Sequence, residues 1–184
     1  MTSEDTSKST TFYPRKDSAV YNFLIADKEQ KKKTLKKWMR LNKYFTIPFY
    51  RVGFLPLLGA SFIFLLLFTK GRKTGKVRIT PLEYQKINGT IHIFASRGDK
   101  ANWLMNLKAN PEDVKIRVGF KKYKVKTEII DIEERKSVFY WYVSKHPIAA
   151  KALMGWDKKE DDPEKTDFSF LAEKIVVVKL YTQQ

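Results

Sequence analysis

The sequence predicts a mostly β, α+β domain in which six strands, mainly antiparallel, form a small barrel with peripheral helices and an N-terminal basic amphipathic helix. Six segments carry strand signals, and most of them follow one another directly along the chain. One pair is joined by Asn88-Gly89, the usual two-residue hairpin turn. A hydrophobic content of 43%, with 14% aromatic residues, is enough to fill a core and argues against a disordered chain.

Three regions are expected along the 184 residues. Residues 1–16 are rich in serine, threonine and charge, which predicts a disordered tail. Residues 17–60 are expected to form a helical extension, and residues 61–184 are expected to form the barrel domain. This length suits one domain with an extension.

Residues 28–51 hold nine basic residues and one acidic residue. An aromatic-rich stripe at helical spacing predicts a basic amphipathic helix here. The stripe consists of Leu35, Trp38, Met39, Asn42 and Phe45. We expect it to pack against the core, as in many surface helices. The alternative is that the helix lies on an anionic membrane surface.

Residues 52–69 form a stretch of eighteen residues without charge, just long enough to span a membrane. Gly53, Pro56 and Gly59 interrupt its first half. We therefore expect a short turn or helical piece followed by a central strand over residues 61–68. A true span and a monotopic membrane contact are the alternatives.

The rest of the chain alternates between strands and short helices. Further strands are expected over residues 76–87, 90–96, 114–118, 123–132 and 174–180, and helices over residues 101–107, 133–145 and 148–154. Residues 155–169 are acidic and predict a loop, either a lid or a solvated surface segment.

Lysine and arginine exceed aspartate and glutamate by 16, so anionic partners are expected: a phosphate-bearing cofactor, an acidic membrane or nucleic acid. No recognised nucleic-acid motif is present, which weighs against the last. The absence of cysteine excludes disulfides and thiolate chemistry, and two histidines are too few for an imidazole-rich metal centre, so we expect no metal site. No signal peptide is visible, and a cytoplasmic location is expected, with membrane association as the alternative.

Residues 71–78, which we call the basic turn, hold five basic residues when Lys70 is counted, and no acidic residue follows until Glu83. The turn lies between two predicted strands and contains two glycines. Clustered cations and free backbone N–H groups suit a phosphorylated ligand. The spacing does not match a Walker A loop. The alternative is an ordinary solvated loop.

Two paired motifs make the chain resemble the deazaflavin-dependent nitroreductase and quinone reductase family. The first is Gly-Arg-Lys-Thr-Gly-x-x-Arg at residues 71–78, and the second combines Ala-Ser-x-Gly at 95–98 with Trp-x-x-Asn-Leu-x-Ala-Asn-Pro at 103–111. The resemblance covers residues 62–132 well. It implies the split β-barrel, flavin-binding-like fold and 8-hydroxy-5-deazaflavin coenzyme F-420 as the cofactor.

The resemblance also implies positions for the cofactor. Its phosphate and acidic tail would lie against the basic turn, and its ring would lie beside the following strand. The implied cofactor-binding residues are Arg72, Lys73, Thr74, Arg78, Thr80, Pro81, Ala95, Ser96, Arg97, Trp103 and Asn106. Arginine and lysine match such an acidic ligand by fork and point-charge contacts.

The implied reaction is hydride transfer from the reduced deazaflavin to a small electron-poor acceptor such as a quinone or a nitro compound. His146, Tyr140 and Tyr142 are candidate proton donors, although His146 could instead serve as a helix C-terminal residue. Two alternatives remain open. One is the same fold with FMN as the cofactor, and the other is a non-catalytic basic protein that binds an anionic membrane or nucleic acid.

Overall fold

The computed structural model describes residues 9–16, 18–53 and 63–183. Its strands are β1 (Thr10–Thr11), β2 (Phe64–Lys70), β3 (Val77–Ile87), β4 (Thr90–Ala95), β5 (Lys115–Val118), β6 (Lys121–Ile129), β7 (Thr166–Asp167) and β8 (Val176–Thr182). Six of these close into a barrel in the order β2-β3-β4-β8-β6-β5, and every pairing in it is antiparallel. The predicted fold class is confirmed.

Seven α-helices are present in the described residues. They are α1 (Ala19–Leu24), α2 (Lys28–Leu41), α3 (Ile47–Arg51), α4 (Asn102–Ala109), α5 (Ile132–Lys145), α6 (Pro147–Met154) and α7 (Ser169–Lys174). A π-helical turn, Asn42–Thr46, joins α2 to α3. None of the helices in the described ranges is long and apolar enough to cross a membrane.

Two hairpins set the geometry of β3. Asn88 and Gly89 both have positive φ, 48° and 82°, as the predicted two-residue turn requires, and they connect β3 to β4. At the other end, the basic turn connects β2 to β3, which pair from Phe64 opposite Glu83 to Lys70 opposite Val77. β3 therefore pairs with β2 through residues 77–83 and with β4 through residues 84–87.

The barrel interior is filled by alternate residues of its strands, because successive side chains of a strand point to opposite faces. Leu65, Leu67, Ile93 and Val178 are all fully buried there. Leu104 of α4 packs into the same cluster. The core thus fixes α4 beside the end of β2 that leads into the basic turn.

The N-terminal residues correct the predicted disordered tail. β1 pairs in parallel with β7, and Phe12 is buried against Trp156 and Phe168, with ring centroids 5.4 and 6.4 Å apart. Residues 10–16 are therefore part of the fold, because Phe12 finds an aromatic cluster that local composition does not reveal. Residues 1–8 of the predicted tail lie outside the described residues.

The acidic segment over residues 155–169 is also held by the N-terminal residues. The Arg15 guanidinium donates to both carboxylate oxygens of Asp161, at 3.0 and 2.9 Å. The Asp157 backbone N–H also donates to Asp161 at 2.7 Å. Part of the segment, predicted as loop, is the short strand β7.

The predicted basic amphipathic helix is present as α2. Asp27 caps its N terminus, because the Asp27 carboxylate accepts from the Gln30 N–H at 2.8 Å. The expected packing of its stripe against the core is wrong, since no residue of α2 is buried. Trp38 and Met39 are exposed. The reason is that the extension reaches the barrel through Tyr50 of α3, which is fully buried.

The predicted strand over residues 61–68 corresponds to β2, shifted towards the C terminus. Most of the uncharged stretch before it, including Pro56 and Gly59, lies outside the described residues.

Candidate functional site

The basic turn is closed by its own backbone. The Gly71 N–H donates to the Lys76 carbonyl at 2.9 Å, and the Gly75 N–H donates to the Gly71 carbonyl at 2.7 Å. Gly75 has a φ of +66°, which favours glycine. A Cβ on Gly71 would lie 3.1 Å from both the Lys76 carbonyl oxygen and the Thr74 hydroxyl. The two glycines of the motif are therefore used to make the turn tight.

The side chain of Asn106, on α4, is hydrogen-bonded to the basic turn. Its side-chain oxygen accepts from the Arg72 backbone N–H at 3.2 Å and from the Arg72 guanidinium at 3.1 Å. Asn106 is buried on α4, and the core packing of Leu104 and Leu107 sets the position of that helix. Two predicted cofactor-binding residues from different motifs are thus brought together, with Asn106 orienting Arg72.

Four cations of the basic turn face solvent: Arg72, Lys73, Lys76 and Arg78. Within the described part of the chain, none of the four forms an ion pair, whereas the neighbouring Lys70 lies 3.4 Å from Asp113. Arg78 donates a long hydrogen bond of 3.5 Å to the Thr74 hydroxyl. This donor set of guanidinium, ammonium and hydroxyl groups fits a phosphate or carboxylate ligand. The backbone N–H groups that were expected to be free are instead used inside the protein at five positions: Gly71, Arg72, Thr74, Gly75 and Lys76.

The other predicted cofactor residues fall into two groups. Thr80 and Pro81 are half-buried on β3, close after the turn, and pair with Leu67 and Leu66. β4 runs antiparallel to β3, so the chain at the end of β4 heads back towards the basic turn. Ser96 and Arg97 follow that end and are half-buried.

Ala95 and Trp103 are both buried in the barrel core. The structure therefore places the Trp103 ring inside the barrel with Leu104 and Leu107, and does not place it on the surface around the turn.

A second polar cluster lies outside the barrel wall, where α5 covers β3. The Tyr142 hydroxyl donates to a Glu83 carboxylate oxygen at 3.0 Å, and the Gln85 amide donates to the same oxygen at 3.2 Å. Tyr142 also packs edge-on against Phe94, with 6.0 Å between ring centroids. Burial raises the pKa of Tyr142 far above its usual range, and the charge and hydrogen bond of Glu83 raise it further.

Two of the three candidate proton donors come together in this cluster. His146 ends α5, where its N–H donates to the Tyr142 carbonyl at 2.8 Å, and its ring lies 5.6 Å from the Tyr142 ring. It is half-buried. Tyr140 lies on another face of α5 and donates to Glu164, so it is not brought to the cluster.

Glu83, which accepts both hydrogen bonds of this cluster, was not among the site residues predicted from the sequence. One feature of the sequence does mark Glu83: it is the first acidic residue after 53 positions without one, from Gln30 to Leu82. Its partner Tyr142 is 59 residues further along, which no local pattern could connect. Across the described ranges, no three His, Cys, Asp or Glu side chains are grouped to hold a metal ion.

Comparisons with known proteins agree with the motifs. A family model described as F420H(2)-dependent quinone reductase matches residues 55–158, more than half of the chain. Two F420H(2)-dependent quinone reductases of Mycobacterium tuberculosis, strains H37Rv and CDC 1551, are each 37% identical over 82 residues, which cover 43% of this chain and 54% of each relative. The chain thus spans about half the length of these relatives. A solved F420-H2 dependent reductase, FDR-A, is 27% identical, with a TM-score of 0.42, over 64% of this chain and 93% of that one.

Proposed function

Because the chain belongs to the F420H(2)-dependent quinone reductase family, we propose that it transfers a hydride from reduced coenzyme F-420 to a small electron-poor acceptor such as a quinone or a nitro compound. The observation that carries the proposal is the basic turn, whose four exposed cations form no ion pair in the described residues. An acidic ligand would supply the missing negative charge.

The chain's own residues would bind and orient the coenzyme. Arg72, Lys73, Thr74 and Arg78 would hold its phosphate and acidic tail, while Asn106 keeps Arg72 in place. Thr80 and Pro81, together with Ser96 and Arg97 at the end of β4, would lie beside the ring. When bound, the reduced coenzyme supplies the hydride.

The cluster around Glu83 would form the acceptor end. Phe94 and Tyr142 exclude water there, because both side chains are packed against each other under α5. Tyr142, with its strongly raised pKa, keeps its proton and serves as a hydrogen-bond donor to Glu83. We assign proton donation to His146, whose ring contacts Tyr142 and is partly open to solvent. His146→Ala should lower turnover and alter its pH profile, and an unchanged profile would remove His146 from this role.

Fluorescence titration with F-420 and, separately, with FMN tests the cofactor. We expect the wild-type protein to bind F-420 more tightly than FMN. The Lys73→Ala/Arg78→Ala variant should bind F-420 at least about tenfold more weakly, a loss of about 1.4 kcal/mol. Lys158→Ala/Lys159→Ala is the matched control, since it removes two exposed lysines of the acidic segment.

Each outcome of the titration decides one point. No F-420 binding by the wild type overturns the proposed function, and tighter binding of FMN favours the FMN alternative. Equal F-420 affinity in the wild type and the Lys73→Ala/Arg78→Ala variant overturns the assignment of the basic turn.

We also propose a peripheral contact of residues 28–51 with an anionic membrane. The support is α2, which exposes Trp38 and Met39 beside its lysines and has no buried residue. Lys33, Lys36, Lys37 and Arg40 line one shallow groove of this helix. A mixed apolar and basic surface of this kind suits the headgroup region of an anionic bilayer.

A further inference from the structure

The turn between β5 and β6 is fastened to the end of α3. The Gly119 N–H donates to the Tyr50 hydroxyl at 2.9 Å, and that hydroxyl donates to the Phe64 carbonyl at 3.0 Å. The Arg117 guanidinium donates to the Arg51 carbonyl at 3.2 Å. The helical extension and the tip of this barrel hairpin therefore present one continuous surface.

Large apolar side chains are exposed on both sides of this junction. Phe120, at the tip of the hairpin, is 66% exposed, and Val52, just after α3, is 79% exposed. The two are adjacent, because the Phe120 ring lies over Gly53, where a Cβ would come within 2.7 Å of Phe120 Cε1. Phe49 precedes Val52 by one helical turn and stacks on Phe45, with 4.5 Å between centroids.

The surplus positive charge comes from two segments of the chain, and parts of both meet here, although the basic turn in the first segment lies at the other end of β2. Residues 30–82 and 114–127 together hold 19 of the 36 basic residues and none of the 20 acidic residues. The rest of the chain holds 17 basic and 20 acidic residues, so the whole surplus of positive charge comes from these two segments. Arg51 and Lys121 are exposed next to the apolar side chains.

We propose that the β5–β6 turn is part of a membrane-docking surface, in which Phe49, Val52 and Phe120 enter an anionic bilayer while Arg51 and Lys121 contact lipid phosphates. This inference rests on the proposed membrane contact of residues 28–51 and extends it from the helix to the barrel. Intermixed apolar and basic side chains match the bilayer interface, where apolar burial and attraction to anionic lipid add together. An acidic protein or a nucleic acid would use the cations and leave Val52 and Phe120 in water.

The Tyr50 and Arg117 contacts give the docking a direction. The β5–β6 turn and α3 are held together by these hydrogen bonds. If both contact the same bilayer, the barrel must therefore take one fixed orientation on the membrane. The exposed start of β2, at Ile63 and Phe64, lies at the same end of the barrel. The basic turn lies at the opposite end of β2 and faces water.

Flotation of the full chain with lipid vesicles tests this surface. We expect the wild type to float with vesicles of phosphatidylcholine and phosphatidylglycerol in equal parts, and not with phosphatidylcholine alone. Phe120→Ser should weaken partitioning about tenfold, because it removes one large apolar side chain from the bilayer. Ile148→Ser is the matched control, since Ile148 is 87% exposed on α6, and it should leave partitioning unchanged.

The charges are tested separately by Lys121→Glu/Lys122→Glu against Lys158→Glu/Lys159→Glu, and only the first pair should reduce flotation. Circular dichroism and F-420 titration of each variant show that fold and coenzyme site are intact, which keeps this test independent of the proposed reaction. No flotation of the wild type overturns the whole membrane contact. Flotation unchanged by Phe120→Ser and Lys121→Glu/Lys122→Glu overturns the role of the turn. A dimer that is lost in Phe120→Ser, without vesicle binding, overturns it in favour of self-association.

Discussion

Tyr142 determines how the Glu83 cluster responds to alkaline pH. Its hydroxyl is buried and donates to a carboxylate, and both features oppose loss of its proton. The folded protein therefore holds this proton more tightly than the unfolded chain, in which tyrosine ionises near pH ~10. Above that pH the unfolded chain binds fewer protons, so the free energy of unfolding falls as the pH rises.

Tyr142→Phe should remove this part of the pH dependence. Near neutral pH the variant should be less stable by about 1 kcal/mol, because one buried hydrogen bond is lost. Above pH ~10 the wild type should lose up to about 1.4 kcal/mol per pH unit more than the variant, so the difference between them shrinks. Urea unfolding at a series of pH values measures both curves. Curves that stay parallel above pH ~10 would contradict the role of Tyr142.

At the candidate site, short motifs in the sequence were enough to select several of the residues that the structure then brings into contact. The cations of the basic turn, its glycines and Asn106 stand in short patterns, and the structure joins Arg72 to Asn106. The Glu83 to Tyr142 contact joins a strand and a helix that are distant in sequence, so only the fold reveals it. The burial of Trp103 depends on which side of α4 faces the barrel. The sequence of a helix of eight residues is too short to show this.

At the scale of elements, the N-terminal residues 10–16 are bound to the acidic segment 155–169, and we call this set of contacts the clasp. β1 and β7 pair in parallel, Arg15 binds Asp161, and the Arg15 N–H donates to the Met154 carbonyl at 2.9 Å. Gly155 makes room for this contact. It has a φ of +77°, and a Cβ there would lie 2.5 Å from the Arg15 Cβ.

Gly155→Ala should therefore destabilise the protein more than Gly89→Ala does. Both positions have positive φ, which costs an alanine about 1 kcal/mol or more, but a Cβ at Gly89 meets no atom within 4 Å. We expect Gly155→Ala to cost about 1–3 kcal/mol beyond the control, because Arg15 must move. Thermal unfolding of the two variants measures the difference. Equal losses would show that the clasp tolerates a shift of Arg15.

The barrel strands and longer helices were predictable because their apolar periods are strong and the Asn88-Gly89 turn fixes one hairpin. β1 and β7 have two residues each, too few for any period to appear. The stripe on α2 predicted the helix correctly, but its packing depends on where the barrel lies. The amphipathic pattern alone is the same for a helix that covers a core and for one that faces another partner.

At the scale of the whole molecule, the uneven charge has a cost in stability. A surplus of 16 positive charges repels itself, and all of it comes from residues 30–82 and 114–127, parts of which meet where α3 contacts the β5–β6 turn. Salt screens this repulsion, since the Debye length falls from about 30 Å at 0.01 M to about 8 Å at 0.15 M ionic strength.

The melting temperature should consequently rise when sodium chloride is raised from about 0.01 to 0.15 M. Lys121→Glu/Lys122→Glu should show a smaller rise, because it replaces two positive charges of the basic segment 114–127 with negative ones. Thermal unfolding followed by circular dichroism measures both. A melting temperature that falls with salt would mean that ion pairs such as Arg15 with Asp161 outweigh the repulsion.

The strand β3 also sets the distance between the positions proposed for the two ligands. A strand advances about 3.4 Å per residue, so Thr80 lies about 10 Å and Glu83 about 20 Å along β3 from Val77, where the basic turn ends. A coenzyme bound at the turn and an acceptor held near Glu83 would then enter the site at separate positions, about 20 Å apart along β3. If the barrel docks on a membrane by its Phe120 end, the acceptor would enter from the lipid side and the coenzyme from the water side. Either ligand could then be exchanged while the other stays bound.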